Sequence, residues 1–72
     1  MSFDGWSYEK YGEYEHEWRS GSFIIATESI DDGIVVRMFD DTRAFGEERV
    51  HREVVESKRE AYRVVESLVA ER

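Results

Sequence analysis

A chain of 72 residues holds one domain, and its 17 acidic against 10 basic side chains leave a net charge of −7, which repels phosphate backbones and disfavours generic duplex nucleic-acid binding. There is no cysteine, so disulfides are excluded, and the two histidines, His16 and His51, are too few for a Cys/His zinc pattern. A domain this small buries only roughly 60% of its unfolded surface, so with those two staples gone, pairing with a second copy is the common one that remains.

The basic residues are eight arginines and only two lysines, Lys10 and Lys58. Such an acidic, arginine-biased chain resembles proteins from a cytoplasm held at molar salt, where a Debye length of about 3 Å nearly abolishes repulsion between surface carboxylates. The alternative is an ordinary acidic domain that uses its charge for solubility. The apolar runs at 23–26 and 34–36 fall far short of a membrane span, and the start of the chain has neither a basic nor an apolar leader region. A cytoplasmic protein is the expectation.

Residues 1–12 carry Phe3, Trp6, Tyr8 and Tyr11, too many aromatics for a disordered tail. Trp6 and Tyr8 alternate with polar neighbours, which allows a short strand or a segment lying across a sheet. From Glu13 to Arg19 the alternation is strict, with Tyr14, His16 and Trp18 on one face and the charges on the other, the pattern of a half-buried strand. A two-residue turn at Ser20-Gly21 leads into a second strand over 22–30. Another at Asp32-Gly33 leads into a third over 34–39. In this register Trp18 opposes Phe23, His16 opposes Ile25, and Glu28 opposes Arg37. One face collects Tyr14, His16, Trp18, Phe23, Ile25, Val36 and Met38, and the other holds Ile24, Ile30, Val35 and Phe39.

From Glu47 onward the apolar residues fall at helical spacing. Val50, Val54, Ala61, Val65 and Leu68 form one stripe, with Val55, Tyr62 and Val69 beside it. Gly46 as N-cap, Phe45 stapled to Val50, and a Glu48–Arg52 pair fit a helix starting there; Asp41 or Thr42 is the alternative cap. The expected fold class is therefore α+β: an antiparallel β-meander of three strands, or four with the N-terminal segment, packed against one long C-terminal α-helix. The single domain divides into an aromatic segment (1–12), a meander (13–39) and an amphipathic helix (46–71).

No residue constellation reaches a catalytic, cofactor or metal motif. His16 lies between Glu15 and Glu17, but a strand points those carboxylates to the opposite face, and a metal asks for three or four ligands. Asp31-Asp32 and Asp40-Asp41 lack calcium-loop spacing and suit turns and caps. Ser20, Ser22 and Ser29 lack a nucleophile elbow. The expected function is a non-enzymatic interaction module that forms a homodimer. Its contact would include Ile24, Val35 and Phe39 on the far side of the sheet, or Tyr62 and Val69 on the helix flank. The alternative is a binder of a nucleotide or single-stranded RNA that stacks bases on Trp6, Tyr8 and Tyr11, against which stand Glu9, Glu13, Glu15 and Glu17 in the same stretch.

Overall fold

A computed structural model describes residues 3–40 and 48–71, and of 48–50 the backbone alone. The chain forms five strands and one helix: β1 (Ser7–Lys10), β2 (His16–Ser20), β3 (Phe23–Ile30), β4 (Gly33–Asp40), β5 (Glu48–Val55) and α1 (Lys58–Ala70). The strands make one antiparallel sheet in the order β1-β2-β3-β4-β5, each paired with its neighbour in sequence. The α+β class and the meander stand. The strand count is corrected from three or four to five, and the first half of the expected long helix is β5.

Two local signals account for that correction. Ser57 begins the helix: its backbone is extended (φ −139, ψ 161) and its hydroxyl accepts from the Glu60 amide at 3.2 Å. The Ser57 hydroxyl in turn donates to the Glu60 carboxylate at 3.2 Å, so 57–60 has the spacing of a capping box, with the carboxylate on the hydroxyl. Upstream, Val50, Val54 and Val55 are β-branched and fit a pleated strand better than a helix. The four-residue spacing of Glu48 and Arg52 is therefore strand spacing and not helical spacing. Gly46, Phe45, Asp41 and Thr42 lie outside the described residues.

Both hairpin turns sit one residue away from the expected positions. The β2–β3 turn is Gly21-Ser22, closed by Ser20 opposite Phe23, with Gly21 at φ +59. A glycine at positive φ in the first central position is the type II′ signature, which matches the twist of the flanking strands. The β3–β4 turn is Asp31-Asp32, closed by Ile30 opposite Gly33. Each register is therefore displaced by two: Trp18 opposes Ile25, His16 opposes Thr27, and Arg37 opposes Ala26. A displacement of two leaves every side chain on its expected face. Glu28 and Arg37 still meet, now along a diagonal, with Arg37 Nη2 3.2 Å from Glu28 Oε2.

The alternation at 13–15 does not continue the strand. Tyr11–Glu15 is a tight connection closed by the Tyr11 and Gly12 amides donating to the Glu15 carbonyl, at 2.8 and 3.2 Å. Thr27 holds its end: the Thr27 hydroxyl accepts from the His16 amide at 3.1 Å and donates to the Tyr14 carbonyl at 2.8 Å. In β5 the register shifts between Met38 and Phe39, so that Val50 is passed over as a bulge.

Helix α1 lies over β4 and β5. Its buried residues Ala61, Val65, Leu68 and Val69 join Trp18, Ile25, Ile34, Val36, Met38 and Val55 in the core. No described helix is long and apolar enough to cross a membrane.

Candidate functional site: the two faces of the sheet

On the helix side, α1 is set over the β4–β5 half, and aromatic rings fill the β1–β2 half. Trp18, buried, is the hub. Tyr8 lies 5.2 Å from it between ring centroids, Tyr62 5.9 Å edge-on, His16 5.9 Å and Phe3 6.0 Å. Trp6 and Tyr14 pack at the margin, and the Lys58 ammonium sits 5.3 Å from the Tyr14 ring. The recess bounded by these rings and Ala61, Ile34 and Val65 holds only about 10 Å³, about one water's worth. The rings occupy one another's faces, so this cluster is core.

His16 is satisfied within the cluster. The Glu13 carbonyl, which only accepts, lies 2.9 Å from Nε2, so Nε2 carries the proton and Nδ1 is left to accept from the Tyr8 hydroxyl at 2.6 Å. The Tyr8 phenol is raised above its ordinary value of 10.0, first by desolvation of its inner end and then by the Tyr62 phenol beside it. His51 is on the same face but on β5, three strand spacings from β2, or roughly 14 Å. It pairs instead with Glu53, Nε2 to Oε1 at 3.2 Å. The two histidines are thus not brought together, and among the described residues no three His, Asp or Glu side chains converge as metal ligands.

The aromatics proposed for stacking are split as well. Tyr8 leans onto Trp18 and His16 on the helix side, half exposed. Tyr11 is exposed, and its hydroxyl lies beside Glu9 and Glu17 of the opposite face, which raise its pKa after desolvation has done so. Trp6 is half-buried. No common platform joins the three. A groove of about 300 Å³ runs between β5 and α1, lined by His51, Glu53, Arg63, Val64, Ser67, Leu68 and Glu71, with charges of both signs along its rim.

The other face of the sheet is the more informative one. Ile24 and Val35 are buried there at 7% and 3% exposure, Phe39 and Ile30 are half-buried, and Val54 is 39% exposed. Of the residues expected on the helix flank, Val69 belongs to the core and Tyr62 is 40% exposed. Across the centre of the face runs one transverse row. Glu9 opposes Glu17, Glu17 opposes Ala26, Ala26 opposes Arg37, and Arg37 opposes Arg52. Like charges directly opposite each other on neighbouring strands are unfavourable, and this row has two such pairs, one at each end. Arg19 Nε eases the acidic pair by bonding Glu17 at 2.5 Å, and Glu28 eases the basic one. Arg37 also lies 5.7 Å from the Phe39 ring, and its Nε is buried with no hydrogen-bond acceptor among the described residues. The row is not legible in the sequence because it depends on four registers at once, and a turn at Asp32-Gly33 sets Arg37 against Glu28 instead of Ala26.

No protein-family model, curated protein or solved structure matches this chain.

Proposed function

We propose that this chain is a small interaction module that performs no chemistry of its own and works as a homodimer joined through the sheet face opposite α1. The observation that carries the reading is that this face leaves Ile30, Phe39 and Val54 partly or fully accessible beside charges of opposite sign at its two ends. Accessible apolar residues beside charges of both signs suit a self-complementary contact. The recess among the aromatic rings, by contrast, holds only about 10 Å³. The marginal core of a 72-residue chain supports the same reading, because a partner adds the burial that the monomer lacks.

Sedimentation equilibrium at micromolar concentration tests it, with a dimer mass expected. Phe39→Asp and Val54→Asp each place an unpaired charge in the contact and are expected to yield monomers. Val54 is exposed, so its substitution leaves the core intact. A monomer mass for the unmodified chain sinks the proposal.

A further inference from the structure

The transverse row reads, from β1 to β5, Glu9, Glu17, Ala26, Arg37, Arg52: two negative charges, a small neutral centre, two positive charges. This row is its own complement when reversed. We infer that the row sets the geometry of the dimer, with a two-fold axis parallel to β3 that lies between the two sheets and passes over Ala26. The inference rests on the homodimer reading above and goes beyond it by fixing the axis and the pairs.

Rotation by 180° about that axis lays β1 over the partner's β5 and β2 over the partner's β4. Glu17 then faces the partner's Arg37, and Glu9 faces the partner's Arg52; by symmetry each contact is made twice. The other in-plane axis, perpendicular to the strands, sets Glu9 over the partner's Glu9 and Arg52 over the partner's Arg52. Charge alone therefore selects between the two. Ala26 lies where the two sheets cross, and its single methyl group suits the approach of sheets packed roughly 10 Å apart. Glu28 also lies on β3, but its carboxylate is drawn towards β4 by Arg37 at 3.2 Å, away from its symmetry mate.

The same row argues against the other occupants. A phosphate or an acidic peptide drawn to Arg37 and Arg52 also meets Glu28, Glu17 and Glu9 on this face, in a chain of net charge −7. A basic partner meets the reverse problem at β4 and β5. Only a surface whose charge reverses along its length satisfies both ends, and a second copy supplies one. The like-charge Arg37–Arg52 pair is the feature that a facing pair of carboxylates relieves.

The test is charge reversal at the two exposed ends of the row, Glu9→Arg and Arg52→Glu, separately and together. Dimer dissociation constants are measured by sedimentation in about 0.15 M salt, with circular dichroism confirming that each variant folds. Each single reversal is expected to weaken the dimer by roughly tenfold, and the double reversal to return it to within about threefold of the starting value. In molar salt the differences should shrink. A dimer indifferent to both single reversals, or one that the double reversal weakens further, overturns the axis while leaving the homodimer in place. A monomeric unmodified chain in the same runs overturns the homodimer itself.

Discussion

Among the described glycines, Gly33 alone combines a positive φ with a close approach of backbone. It opens β4 at φ +144, a conformation that L side chains rarely adopt, and a Cβ there would lie 2.2 Å from the Val55 carbonyl oxygen at the end of β5. Backbone strain and a backbone clash coincide, so Gly33→Ala should cost at least ~2 kcal/mol of unfolding free energy in a urea melt; a loss within error of zero would show that the two strands separate freely there. Tyr8 yields a different kind of expectation. Its phenol is raised above 10.0 by desolvation and by Tyr62, while an unfolded chain titrates near the ordinary value. The neutral form is thus favoured by folding. The stability this contributes is complete below pH 10 and is lost as pH rises through the folded value. Phenolate absorbance of the native chain minus that of Tyr8→Phe isolates the group. A midpoint above 10 is expected, and one at or below 10 contradicts the partly desolvated placing of Tyr8 beside Tyr62.

At the scale of elements, the capping box at 57–60 decides where the helix starts. Ser57→Ala removes the acceptor for the Glu60 amide and should destabilise the fold by about 1 kcal/mol; thermal melts of the two proteins measure it, and identical midpoints would mean that α1 is held by packing alone. The motif is present in the sequence as Ser57-Lys58-Arg59-Glu60, yet the helical spacing of Val50 and Val54 with Ala61 draws the expected N-cap back from Ser57 to Gly46. A valine-rich stretch fits both periods over a short window, and what fixes 48–55 as a strand is its long-range pairing with β4, which local spacing does not encode. The faces of β2, β3 and β4 were legible because side chains alternate with period two, so a turn misplaced by one residue moved the register by two and spared the pattern. The short strand over Ser7–Lys10 was foreseen as one of two options. The charge row was not, since it exists only when all four pairings are known together.

For the whole molecule, the net charge of −7 sets the response to ions. Self-repulsion among the carboxylates falls as the screening length shortens, so the melting temperature should rise from dilute buffer to molar KCl, relative to a neutral control domain of similar size. A flat or falling midpoint would leave the acidic surface a matter of solubility alone. The sequential strand order bears on how the chain is made. Because every strand pairs only with its chain neighbour, the sheet can zip up in the order in which it leaves the ribosome: a hairpin closes in about 1–10 μs, whereas synthesis adds roughly 5–20 residues per second. The lid arrives late. Val65 and Leu68, which close the core over Val36 and Met38, emerge roughly 25 residues after β4 is complete, a delay on the order of seconds. For that interval the nascent sheet carries an apolar face with only its own aromatic residues to shelter it. Exposed apolar surface of that kind is where incompletely folded chains associate.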